Sequence, residues 1–86
     1  MIGVKTDSGF VCEINENVLD DVEIIDVLVE LDEGNPTHIG KAAKKLLRED
    51  AAKLYEHIRT EDDRVPLTEL AKEIADIIGK ISEAKK

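Results

Sequence analysis

Apolar residues recur along the chain with two different periods, which predict a short β-hairpin followed by helices. Residues 2–6 and 10–14 are predicted as two strands around Asp7-Ser8-Gly9, where Gly9 can take the positive φ of a tight turn. Because an isolated hairpin is only marginally stable in water, we expect it to pack on the helices. The residues expected on its apolar face are Val4, Phe10 and either Val11 or Cys12.

The first two predicted helices have recognisable ends. Asn15 is expected to cap a helix over residues 16–32, and Gly34 is expected to stop it. Asn35-Pro36 is then typical of a second helix start, with Asn as the cap and Pro at the first helical position. This second helix is predicted to run to Leu47.

The rest of the chain predicts one or two further helices. Arg48-Glu49-Asp50 is either a break, with Asp50 capping a third helix through Ile58, or a polar part of one continuous helix. After a polar loop at residues 60–63, a closing helix is predicted from Pro66 to Ser82. Its apolar stripe, with a regular three-to-four spacing, consists of Leu67, Leu70, Ala71, Ile74, Ile77, Ile78 and Ile81.

Together these elements predict a mainly α (α+β) protein, with a short N-terminal β-hairpin packed on a bundle of three to four helices. We expect one domain over residues 1–86. The hairpin occupies residues 1–14, the helical bundle occupies residues 16–83, and residues 84–86 are expected to fray.

The first predicted helix is both strongly acidic and strongly apolar. From Glu13 to Glu33 the chain carries nine acidic residues and no basic one. On a helical wheel, one apolar face contains Val18, Val22, Ile25 and Val29, widened by Leu28; a roughly opposite face contains Ile24, Val27 and Leu31. This arc is wider than one packing contact requires, so either the other helices surround the helix or part of it is an interface. We take Ile24, Val27, Leu28 and Leu31 as the candidate interface.

Two more surfaces are candidates for association. Ile77 and Ile81 of the closing helix form one, with plain core packing as the alternative. The other follows from the charge, which is −8 overall but −9 over residues 1–37 and +1 over residues 38–86. Such asymmetry allows copies to meet head to tail. We expect the bases of the second helix to face acids of a neighbouring copy, unless both sets are simply solvated: Lys41, Lys44, Lys45 and Arg48 on one side, and Asp20, Asp21 or Glu30 on the other.

The composition argues against several classes of function. The acidic half of the chain argues against binding of nucleic acid through phosphates. No apolar run reaches the ~18 residues of a membrane span, so we expect a soluble, intracellular protein. His38 and His57 show no metal-ligand spacing, Ser8 has no His or Lys partner in sequence, and Cys12 has no basic neighbour to lower its pKa. We therefore expect no enzyme activity, no metal and no cofactor.

The order of motifs resembles the small tail assembly chaperones of long-tailed phages and prophages of Gram-positive bacteria. The shared features run along essentially the whole chain: SGF in the hairpin, EINENVLDD and the acidic helix ending in LDEGNP, KAAKKLL, LYEHIRTEDDRV and an amphipathic closing helix. Two positions depart from the pattern. Arg48 stands where the family has Gly after the "LL", and Asp63 stands where it has Gly before the "RV".

The resemblance implies a non-enzymatic morphogenesis factor that acts in the host cytoplasm and is absent from the mature virion. Its implied partners are the tape-measure protein, which it keeps soluble, and the tail tube protein that polymerises around it. It also implies a homo-oligomer, as a ring or spiral. Two alternatives stay open: a small acidic regulatory or inhibitor protein, antitoxin-like or a DNA mimic, and an enzyme with convergent carboxylates in a pocket.

Overall fold

The computed structural model describes residues 1–84, which begin with a two-stranded antiparallel hairpin. Strand β1 spans Ile2–Lys5 and strand β2 spans Val11–Ile14, with Ile2 opposite Ile14. Gly9 has φ +96°, and its N–H donates to the Thr6 carbonyl over 2.9 Å. A three-residue hairpin loop commonly needs a left-handed residue at this position, and glycine adopts that conformation without steric cost.

One face of the hairpin is buried and the other is exposed. The side chains of Val4, Phe10, Cys12 and Ile14 lie in the core. Val11 is 67% exposed, so Cys12 rather than Val11 completes the apolar face. Alternation along a strand places these neighbours on opposite faces, and only one of them can point at the helices.

The predicted continuous helix over residues 16–32 is wrong, because the chain breaks at Asp20. Glu16–Leu19 form a single 3-10 turn, and helix α1 begins only at Val22 and ends at Asp32. Asn15 caps the 3-10 turn by accepting from the Asn17 N–H, and the Asp21 carboxylate caps α1 by accepting from the Glu23 N–H over 3.0 Å. Short polar side chains bond to the backbone in this way and so compete with helix continuation.

Helix α1 ends as predicted and the next helix starts later than predicted. Gly34, with φ +89°, donates to the Leu31 carbonyl, while the Asn35 N–H donates to the Glu30 carbonyl over 2.8 Å. These two bonds form a Schellman motif, which satisfies the last carbonyls of α1. Helix α2 spans Ile39–Leu47, so residues 36–38, predicted as its first turn, form a separate turn.

Helices α2 and α3 are separate. Helix α3 spans Asp50–Ile58, with Glu49 at the cap position that the sequence assigned to Asp50. The break lies at Arg48, which has φ +53° and ψ −115°. A non-glycine residue rarely adopts a positive φ, and no helix can pass through such a residue.

Helix α4 spans Leu67–Ala84, two residues further than predicted at its C-terminal end. Pro66 directly precedes it and accepts the first helical hydrogen bond, from the Leu70 N–H over 3.0 Å. Leu67 was predicted on the apolar stripe but is 46% exposed. Of the predicted frayed tail, residues 85 and 86 lie outside the described residues.

The four helices and the hairpin enclose one core, in which α2 is the central element. Helix α2 packs on α1, α3, α4 and β2, while α4 also packs on β1. Ala42 and Ala43 are almost fully buried and allow neighbouring elements to approach α2 closely. The chain is mainly helical (60%), which confirms the predicted fold class of a hairpin packed on a helical bundle.

Candidate partner-binding surface

Helix α1 packs on the domain through one side only. It contacts chiefly α2 and the preceding 3-10 turn. Ile24 is 2% exposed, and Val27, Leu28 and Leu31 are half-buried against the core. These four residues were the candidate interface, so this placement is corrected: they form the packing face of α1, and Ile24 is not accessible to a partner.

The opposite side of α1 is apolar and uncovered. Val22 is 71% exposed, Val29 is 53% exposed and Ile25 is 40% exposed. These three side chains, here called the α1 stripe, follow one another at intervals of three and four residues and so form one row along the helix. Large apolar side chains in a contiguous exposed row typically mark a contact with another molecule. The sequence identified two apolar faces on this helix; the structure shows that this one is exposed.

Acidic side chains surround the α1 stripe. Asp26, Asp32 and Glu33 are exposed. Glu30 Oε2 lies 2.6 Å from His38 Nδ1 and accepts a hydrogen bond from it, which ties α1 to the start of α2. Like charges concentrated beside an apolar row favour a partner that carries the opposite charge.

The bases of α2 are divided between contacts within the chain and solvent. Lys45 Nζ lies 2.9 Å from Asp21 and 2.7 Å from Glu23. The hydrogen bond from Lys45 lowers the pKa of Asp21, and the same bond raises the pKa of Lys45. Lys45 and Asp21, expected to meet in neighbouring copies, therefore meet within one chain. Lys41, Lys44, Arg48 and Asp20 are exposed and make no ion pair within residues 1–84.

The proposed surface on the closing helix does not exist. Ile77 and Ile81 are 0% exposed, because α4 turns this side towards the hairpin and α2. The structure confirms the alternative, in which Ile77 and Ile81 pack in the core. Spacing alone could not separate the two, since a buried stripe and an interface stripe have the same period.

A polar network that the sequence did not reveal holds the hairpin turn. The Glu73 carboxylate, on a residue only 7% exposed, accepts from the hydroxyls of Ser8 (2.7 Å) and Thr6 (2.9 Å). His57 Nε2 lies 3.0 Å from Ser8 Oγ. We call Thr6, Ser8, His57 and Glu73 the turn network. The two turn residues are 49 to 67 positions away from their partners on α3 and α4, and no local spacing could have predicted their meeting.

The turn network contains a serine, a histidine and a carboxylate but lacks the geometry of a catalytic triad. In a triad the carboxylate orients the histidine, and the histidine accepts the serine proton. Here the Glu73 carboxylate accepts a hydrogen bond from the Ser8 hydroxyl itself, and this bond uses the only proton of that hydroxyl. His57 Nε2 then donates to Ser8 Oγ, so it cannot act as its base. The arrangement satisfies a buried carboxylate and fastens the turn to α3 and α4.

A groove of about 710 Å³ lies between β2, the 3-10 turn and the α2–α3 junction. It is lined by charges of both signs, including Glu13, Arg48 and Lys53. Cys12 also lines the groove and is buried. Burial, together with the nearby charges of Asp50 and Glu73, raises the pKa of its thiol to about 11. Such a thiol is protonated near neutral pH and is a poor nucleophile.

Two further observations concern the described part of the chain. Residues 1–84 hold no group of three or more His, Cys, Asp or Glu side chains arranged to bind a metal ion. No helix within them has both the length and the apolar character needed to cross a membrane.

Comparison of the chain with protein-family models, with curated proteins and with solved structures finds no match.

Proposed function

We propose that this chain is a phage tail assembly chaperone that binds the tape-measure protein and keeps it soluble during assembly of the tail tube. The observation that carries the proposal is the α1 stripe, an exposed apolar row on the most acidic helix of the molecule. A chaperone of a long helical client needs an apolar contact surface, and it needs net charge to keep the complex dispersed. The net charge of −8 meets the second requirement.

Two backbone conformations support the family resemblance on which the proposal depends. Arg48 and Asp63 stand where the resemblance expects glycine. They are also the two non-glycine residues with positive φ among residues 1–84, at +53° and +65°. Glycine is the residue that adopts positive φ most readily. The expected glycines therefore coincide with the two turns of this fold that would favour them.

The size of the α1 stripe suits a contact that must later be broken. Three side chains over about two helical turns bury little area, so a single contact is weak. Many copies along one long client would still hold together through their combined contacts. Tail tube subunits could then displace the copies one at a time.

The alternative of a DNA mimic needs acids arranged over a broad exposed face. Asp21 and Glu23 are paired with Lys45, and Glu30 is paired with His38. The outward row of α1 is apolar instead. These contacts favour a client that binds through apolar side chains over a DNA-binding protein that recognises an acidic surface.

The test is co-expression with the tape-measure protein of the same phage or prophage. We expect the tape-measure protein to move from the insoluble to the soluble fraction, and this chain to co-purify with it. An unrelated acidic protein of similar size, expressed at the same level, is the control for a general effect of charge. A tape-measure protein that stays insoluble, or that is rescued equally by the control, contradicts the proposal.

A further inference from the structure

The outward face of α1 has the spacing of apolar residues found on one helix of a coiled coil. With Val22 at position a of a heptad, Ile25 falls at d and Val29 at the next a, and the apolar row ends there because Asp32 occupies the next d position. Asp26 and Glu33 then both fall at e, the position beside the seam where charged residues choose the partner helix. All five side chains are exposed. An a/d row of this kind fits the groove of another helix better than it fits an extended peptide.

The charges beside the seam argue against a second copy of α1 as the occupant. In an antiparallel pair of α1 helices, the e positions face each other, which brings Asp26 and Glu33 of both copies together. In a parallel pair, e faces g, and the g positions here are Asp21 and Leu28. Neither arrangement gives an opposite-charge pair, and like charges held across an interface oppose association.

We propose that the α1 stripe docks an amphipathic helix that carries an apolar a/d row and Lys or Arg beside it. This rests on the proposed function, since such a helix would be a segment of the client. The bases of the docked helix pair with Asp26 and Glu33, and its apolar row covers Val22, Ile25 and Val29. The charges set partner choice and orientation, while the apolar row supplies most of the affinity.

Two synthetic peptides test this directly on the intact protein. Both are about three heptads long, long enough for a helix to form, and share the same leucine row. One has Lys at its e and g positions and the other has Glu. With fluorescent labels, binding is followed by anisotropy. We expect the Lys peptide to bind, and to bind more weakly as salt rises from about 0.05 M to about 0.5 M. The Glu peptide should bind about tenfold more weakly or not at all.

Matched variants locate the site. Val22→Ser with Val29→Ser should weaken binding of the Lys peptide by about tenfold or more, because both positions lose their apolar contact with the peptide. Leu67→Ser, an exposed apolar residue on α4, should leave binding unchanged. If Val22→Ser with Val29→Ser lowers the helicity measured by circular dichroism, Asp26→Lys with Glu33→Lys serves as a second test. This charge-reversed variant should bind the Glu peptide more tightly than the Lys peptide. Equal binding of both peptides, or equal weakening by Leu67→Ser, overturns the inference.

The stripe variant also separates this inference from the proposed function. If the native chain solubilises the tape-measure protein and Val22→Ser with Val29→Ser does so equally well, the docking site is wrong and the function stands. If the native chain fails to solubilise the tape-measure protein but binds the Lys peptide through the stripe, the tape-measure protein is not the client. The docking site on α1 is then still supported.

Discussion

Lys45 Nζ lies 2.9 Å from the carboxylate of Asp21, so the last turn of α2 is joined to the residue that caps α1. This contact fixes the N-terminal end of a helix that packs on the domain through one side only. The orientation of the α1 stripe therefore depends on a pair that is itself solvent-accessible and sensitive to pH.

Asp21→Asn removes the charge but keeps a side chain that can cap α1. The pKa of Asp21 is lowered from its ordinary value of 3.8, so its stabilising effect is present above that pH and is lost as pH falls below it. The pKa of Lys45 is raised from 10.5, so its effect is present below that pH and is lost above it. We expect a lower urea midpoint for Asp21→Asn at pH 7, and a difference that disappears in acid.

The control for this variant is Asp26→Asn, which removes an exposed α1 carboxylate that makes no ion pair within residues 1–84. It should leave the midpoint almost unchanged at both pH values. A difference between Asp21→Asn and the native chain that persists unchanged at pH 2 would show that the ion pair is not its cause.

The remaining bases of α2 make a separate prediction about self-association. Lys41 and Lys44 are exposed, whereas Lys45 is already paired within the chain. We expect the mass measured by light scattering to rise with protein concentration and to fall at high salt. Lys41→Glu with Lys44→Glu should reduce that rise, because the outer face of α2 would then repel an acidic neighbour.

Lys53→Glu with Lys72→Glu is the matched double charge reversal, since both lysines are also exposed but lie on α3 and α4. It should have the smaller effect on the measured mass. A native protein that stays at the monomer mass over the whole concentration range contradicts the expectation of a ring or spiral.

Arg48 predicts a stabilising substitution. A non-glycine residue at φ +53° and ψ −115° carries backbone strain of about 1–3 kcal/mol. Glycine would remove the strain but adds about 0.5–1 kcal/mol of unfolded-chain entropy. We expect Arg48→Gly to raise the free energy of unfolding by about 1 kcal/mol, measured by urea denaturation.

Asp63 is the internal comparison for that substitution. It also has positive φ, at +65°, but Asp tolerates this region, and its carboxylate lies 3.1 Å from Arg59. Asp63→Gly should therefore give little or no gain. A gain at Asp63 as large as that at Arg48 would mean that relief of strain is not the explanation.

Local sequence signals were sufficient for the hairpin and for the C-terminal end of α1. Each depends on one glycine that adopts a positive φ: Gly9 and Gly34. The Arg48-Glu49-Asp50 run left open whether the second and third helices are continuous, because arginine does not favour the positive φ that Arg48 adopts. The continuous first helix was wrong because the prediction gave residues 16–32 a single cap, at Asn15. In the structure Asp21 is a second cap, and the spacing of apolar residues cannot indicate such a cap.

The candidate site was predictable only in part. The period of α1 gave two apolar faces, but which face meets the core depends on where α2 lies, and that is a tertiary contact. The same limit explains Ile77 and Ile81, which a stripe alone cannot assign to core or surface. The turn network depends on residues far apart in sequence, so no pattern of spacing pointed to it.

The turn network predicts a specific loss of stability. Thr6, which is 3% exposed, donates to Glu73 and accepts from the Phe10 N–H. Thr6→Val keeps the shape and removes both bonds, which leaves a buried N–H without a partner. We expect a loss of about 1–3 kcal/mol in the free energy of unfolding. Thr68→Val, on the exposed side of α4, is the control and should change it by less than about 0.5 kcal/mol.

Cys12 reports on the same region, and it is the one thiol in the chain. Its pKa is raised from 9.0 to about 11, which alone lowers the thiolate fraction near pH 8 by about a hundredfold. Below pH 9 the protonated thiol favours the folded state, and this effect on stability is lost as pH rises from 9 to 11.

Because Cys12 is buried and its thiol is protonated, alkylation by iodoacetamide should be slow in the native protein and fast in denaturant. Thr6→Val should speed alkylation of the folded protein, because it weakens the attachment of the hairpin that buries the thiol. Equal rates for the folded and denatured chains would show that Cys12 is accessible and that the hairpin does not protect it.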